Sequence, residues 1–147
     1  MKVYDCFMYF DEDVILDLRL NYLNPYVDKF VIVESKFTHS GKKKELLFDI
    51  KKFKNFENKI TYLSIDHEPE EIQIVNEQDN HIDKSGKSIF NATKRENYQR
   101  NYLSKGLEGA DPEDIILISD IDEIPNLEKI KFKLIKNKLI FFQQKIF

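Results

Sequence analysis

Apolar positions along this chain gather into short dense runs separated by segments of helical spacing. Residues 2–9, KVYDCFMY, are rich in β-branched and aromatic side chains and predict a buried first strand. DEDVILDLRLNYLNP follows, with acids at its start and Asn-Pro at its stop. Within it Ile15, Leu18 and Tyr22 recur at helical spacing, which predicts a helix of about 10 residues. A second apolar run, KFVIVES at 29–35, is strand-like again. Strand, helix and strand over about 35 residues make a βαβ unit, and that implies a parallel sheet with right-handed crossovers.

Beyond it, KFTHSGKKKE (36–45) is a polar loop, and ELLFDIKKFKNF predicts a helix with Leu47, Ile50 and Phe53 inward. KITYLSI (59–65) is a third strand. Residues 66–90 are acidic, then polar, with weak periodicity, and read as a long mobile excursion. NATKRENYQRNYLSKGL (91–107) predicts a helix capped by Asn91 or Thr93 and stopped at Gly106 or Gly109. ADPED then turns the chain into IILIS, a fourth strand. The tail from Lys129 predicts a short helix and one more strand.

Composition adds limits. At 147 residues, 41% hydrophobic and 33% charged, the chain is an ordinary globular domain, read as a single one over 1–147. A formal charge of −3 with scattered lysines gives no reason to expect nucleic acid. Cys6 is alone, which excludes a disulfide framework and a cysteine zinc site. No signal peptide and no membrane segment is legible, so the expected location is cytoplasmic. Only Arg19, Arg95 and Arg100 among the 23 basic residues are arginine, the side chain best suited to phosphate and carboxylate.

The chemistry concentrates in EDIILISDIDEIPN, residues 113–126. Three like charges, Asp120, Asp122 and Glu123, crowd a strand end and repel unless something positive sits among them. On an extended segment Asp120 and Asp122 project to the same side, and two such carboxylates can share one Mg2+ or Mn2+. The alternative is a solvated turn whose acids cap the next helix. An apolar strand ending in D-x-D also opens haloacid-dehalogenase-type phosphatases, but those carry it near the chain start and without Ile-Pro after it.

Three ordered blocks carry a wider resemblance: E-S-x-x-T-x-x-G after the second strand, R-E-x-x-Q-R on the later helix, and S-D-x-D-E-I-P after the fourth. With them, roughly residues 3–127 resemble glycosyltransferase family 17, which includes the β-1,4-mannosyl-glycoprotein 4-β-N-acetylglucosaminyltransferases. The resemblance implies a GT-A-like (Rossmann-like) α/β fold, a mostly parallel sheet flanked by helices. It implies an inverting transfer from a nucleotide sugar, UDP-GlcNAc by inheritance, to a glycan acceptor, with Mn2+ or Mg2+ on Asp120 and Asp122.

For the nucleotide, Arg95 and Arg100 would face the diphosphate, although Glu96 and Arg100 also stand at ion-pair spacing on a helix. Glu34 and Ser35 end a strand where an acid commonly accepts from a sugar hydroxyl; a loop cap is the other reading of Glu34. Thr38, Gly41 and Lys42 would form a loop over the nucleotide. Asp5, Phe7 and Tyr9 offer candidates to flank the base, with Phe7 more at home in a core. His39, His67 and His81 read as surface histidines. No general base can be named. Family members are considerably longer, so the acceptor half is expected to be largely missing, with weak UDP binding and poor transfer. A non-catalytic nucleotide-sugar-binding remnant or scaffold is the competing reading.

Overall fold

The computed structural model describes residues 1–135 and 139–143. Strand β1 (Val3–Met8) leads into helix α1 (Asp13–Leu23), and the chain returns as β2 (Lys29–Ser35). A 3-10 segment, Ile50–Phe56, precedes β3 (Ile60–Ile65). Helix α2 (His81–Tyr102) and a 3-10 turn (Leu103–Leu107) lead to β4 (Ile115–Ile118). The four strands form one sheet in the order β3-β2-β1-β4, every pair parallel. The α/β class and the parallel sheet follow the apolar pattern of the sequence.

Alternation along the strands feeds two cores. Val3, Phe7, Phe30 and Ile32 pack toward Leu16, Leu20 and Leu23 of α1. Tyr4, Cys6, Val31 and Val33 pack on the opposite face with Leu103. Burial pushes the Cys6 thiol up to about 12, with the nearby Asp5 charge adding to the effect. Gly106 lies so close to β2 that a Cβ there would stand 2.3 Å from Val31 Cγ1, while Gly109 takes the positive φ, 83°, beyond the turn.

Several elements differ from the sequence pattern, each for a physical reason. Ile15, Leu18 and Tyr22 signal α1 correctly but do not form its buried face. Leu16, Arg19, Leu20 and Leu23 do, and Leu18 is 55% exposed. The competing stripe contains an arginine, and a charge is ordinarily assigned to solvent. The segment 45–49 is not helical, because Leu47 and Phe48 donate their backbone N–H groups to Glu34. Leu47 is exposed, and the inward residues are Phe53 and Phe56, with Phe48 stacked between Phe53 and Tyr62.

Helix α2 begins ten residues earlier than expected, capped by Asn80, whose side chain accepts from the Asp83 N–H. Residues 81–90 therefore belong to a helix and not to the excursion. They are mostly exposed, so they lack the apolar stripe that marks a packed helix. Asn91, expected as a cap, instead exchanges two hydrogen bonds with the Gln73 backbone in mid-helix. In the tail a 3-10 turn, Phe132–Leu134, is present and 139–143 carry no regular structure. The rest of the predicted tail helix and strand lies outside the described residues.

Candidate functional site

Strand order reverses at β1: the chain runs from β1 to β2 and β3 on one side, then crosses to β4 on the other. Loops diverge at such a switch point and leave a crevice at the carboxyl ends of the strands. A hollow of about 810 Å3 lies there, bordered by Tyr9 and Phe10 after β1, Ser35, and Asp120 to Asp122 after β4. Thr38 and His39 of the 36–44 loop line it, as do Glu96, Gln99 and Arg100 of α2. Small-molecule sites span about 300–1,000 Å3.

The positive charge that meets these carboxylates is Arg100. Arg100 donates to Asp120 Oδ1 at 3.1 Å and to Glu96 at 3.2 Å, so the helical ion pair and the contact to the strand end coexist. Arg19 lies beneath, fully buried, with its guanidinium on both oxygens of an equally buried Asp5 at 2.8 Å. It also donates to the carbonyls of Asp120 (2.6 Å) and Ile121 (2.9 Å) and to Ser119 Oγ (2.7 Å). Its Cζ stands 4.5 Å over the Phe7 ring. The turn closes locally, with Glu123 N–H donating to Asp120 O and Ile124 N–H to Asp122 O. Asp120 and Asp122 are exposed at its rim.

Arg95 is placed elsewhere. Its guanidinium forms a two-pronged pair with Glu68 (2.7 and 3.0 Å) and donates to the His39 carbonyl. It lines a second hollow with Ser40 and Gly41 and not the one holding Asp120. The expectation that Arg95 leads toward a diphosphate at that cluster gives way to a clamp on the 38–41 loop, and Arg100 is the arginine at the carboxylates. Glu34 is corrected as well. It is fully buried and accepts from Lys44 Nζ, the Leu47 and Phe48 N–H groups and the Tyr62 hydroxyl. A carboxylate has about four acceptor sites, so none remains for a sugar hydroxyl and the loop-cap reading holds.

Ser35 is buried at the edge of the hollow, where its Oγ accepts from the Phe37 N–H. Thr38 caps its own loop, accepting from Lys42 N–H and bonding Ser40 Oγ. Asp5 and Phe7 are sealed in the interior and cannot flank a base; Tyr9 does border the hollow, its hydroxyl held by Asp13. His39, expected as a plain surface residue, lines the hollow, whereas His67 bonds Tyr98 and Asp66 outside it. Sequence reasoning assigned Arg19 no role. The signal was present: a lone acid inside the apolar β1 run and a lone arginine inside the apolar α1 run require each other if both are buried.

Comparison with known proteins gives the family of the chain. The family model for glycosyltransferase family 17 matches residues 1–139. The human β-1,4-mannosyl-glycoprotein 4-β-N-acetylglucosaminyltransferase is 29% identical over an alignment covering 80% of this chain and 21% of that protein. The protein of the same name from Rattus norvegicus is 29% identical, with 80% and 20% covered. The chain thus spans about a fifth of the length of these curated relatives. No solved structure gives a significant match. No helix among the described residues is long and apolar enough to cross a membrane. A match over nearly the whole sequence, with all three sequence blocks meeting around the same loop and strand ends, identifies the chain as a member of glycosyltransferase family 17.

Proposed function

We propose that the hollow at the β1–β4 switch point is the donor site of a glycosyltransferase with a GT-A-like fold, and that it takes a nucleoside diphosphate sugar. The observation that carries this reading is the convergence of Asp120, Asp122 and Arg100 with Ser35 and Thr38 on one crevice. The relatives' names give N-acetylglucosamine as the transferred sugar and a mannosyl-glycoprotein as acceptor, and the donor in this reading is UDP-GlcNAc. Asp120 and Asp122 are the residues that would hold Mn2+ or Mg2+. Their chemistry fits, two exposed carboxylates on one hollow being hard oxygen donors, although among the described residues no group of three or more His, Cys, Asp or Glu side chains gathers to hold a metal. A hard cation on so few protein ligands keeps most of its sphere for phosphate oxygens. When bound, the cation would supply charge stabilisation to the departing diphosphate.

The chain's own groups complement that. Arg100, already bridging Glu96 and Asp120, is within the same crevice and can turn its fork to phosphate oxygens as they enter. The loop carrying Thr38 and His39 borders the crevice. In an inverting transfer the acceptor hydroxyl oxygen bonds to the anomeric carbon as the bond to the diphosphate oxygen breaks, and the hydroxyl proton passes to a base. Titration calorimetry with UDP, with and without Mn2+, tests the donor site. Binding that requires the metal and is lost in Asp122→Ala is expected. Metal-independent binding, or unchanged binding in Asp122→Ala, would refute it.

A further inference from the structure

We propose that Arg19 is the positioning residue of the Ser119–Ile124 turn, and that the Asp5–Arg19 pair exists to hold Asp120 and Asp122 at the rim of the hollow. The proposal rests on the reading of those carboxylates as cation ligands, and it names a residue 101 positions away from Asp120 in the chain.

An arginine has five N–H donors in a rigid plane, and here every one has a partner. Nε and one Nη2 proton meet the two oxygens of Asp5, the other Nη2 proton meets Ser119 Oγ, and the two on Nη1 meet the carbonyls of Asp120 and Ile121. Asp5 thus locks the fork from the strand side, leaving its other edge to grip three consecutive residues of the turn. With the Asp120 and Ile121 carbonyls held, the backbone from which the Asp120 and Asp122 side chains project is set before any ligand arrives.

Stability alone does not account for such a pair. Replacing a buried ion pair with well-packed apolar residues is often neutral or stabilising. An apolar pair could fill the same space between β1 and α1, but it could not hold the carbonyls of an exposed turn. Lysine could restore the charge opposite Asp5, yet one ammonium with three protons cannot reproduce a planar grip on both sides.

These differences define the test, made on the full 147-residue chain with Arg19→Lys and the double variant Asp5→Val/Arg19→Met. Two quantities are measured: Mn2+ affinity by calorimetry, and hydrogen exchange of the 119–124 amides against the rest of the sheet. Loss of a residue that orients metal ligands typically lowers metal affinity by about 10–100-fold. A drop in that range is expected for both variants, with exchange rising selectively at 119–124 while cooperative unfolding persists. Wild-type affinity together with unchanged protection at 119–124 would overturn the proposal. Should the wild type bind no Mn2+, the reading of the carboxylates falls, and exchange alone decides: selective loss of protection upholds Arg19's role and unchanged protection ends it. If the double variant does not fold, Arg19→Lys carries both measurements.

Discussion

Placing a methyl group at Gly41 tests how the loop over the hollow is held. Gly41 closes the Thr38–Gly41 turn with φ at 89°, and its N–H donates to the Thr38 carbonyl at 2.9 Å. A left-handed backbone costs an L residue about 1–2 kcal/mol. The new Cβ would also stand 2.6 Å from Arg95 Nη2 and 2.8 Å from its Cζ. That guanidinium ends a flexible side chain and can step aside, but only by leaving Glu68 and the His39 carbonyl. Hydrogen bonds to charged groups are worth about 1.5–3 kcal/mol. Glu68 keeps a third of its side-chain surface in water, so about 1–2 kcal/mol is the discounted loss. Gly41→Ala should therefore cost about 2–4 kcal/mol in total. Urea denaturation measures it, combined with Arg95→Ala in a double-mutant cycle. With the guanidinium gone, Gly41→Ala should cost only the backbone strain, leaving a coupling of about 1 kcal/mol or more. Additivity within about 0.5 kcal/mol would show that Arg95 does not clamp this turn.

On the sheet face that carries Val31 and Leu103, Gly106→Ala should lower stability by about 1–3 kcal/mol through overpacking against Val31. Adding Val31→Ala should recover part of that loss, and a thermal melt in which the second substitution only worsens the first would contradict the contact. Alkaline pH probes the Glu34 anchor. Burial, followed by the hydrogen bond to Glu34, holds the Tyr62 phenol well above its ordinary value. The folded state therefore keeps a proton that the unfolded chain releases near pH 10, so its contribution is whole below about pH 10 and is lost as pH rises beyond it. Melting temperatures from about pH 8 to 11 should fall less steeply in Tyr62→Phe than in the wild type; parallel slopes would count against the linkage.

Local patterning determined much of this protein. The alternation and β-branched density of residues 2–9, 29–35, 59–65 and 115–119 place all four strands, because strand formation leaves its period in adjacent residues. The position of Asp120 and Asp122 just past an apolar strand marks the correct end of a parallel sheet. Tertiary structure decided which charges face inward and whom they meet. Glu34 looked available at a strand end, but the loop from Lys44 to Phe48 folds over it and fills its acceptor sites. Arg95 and Arg100 share one helix and one sequence block, yet a five-residue offset turns them toward different hollows. The first turns of α2 are mostly exposed and held by polar contacts such as Lys87 to Asp79, so no apolar stripe was written into the sequence. Arg19 shows the limit most clearly. Its burial is tolerable only because Asp5 and the 119–121 turn converge on it, and electrostatic satisfaction across a hundred residues leaves no periodic trace in the chain.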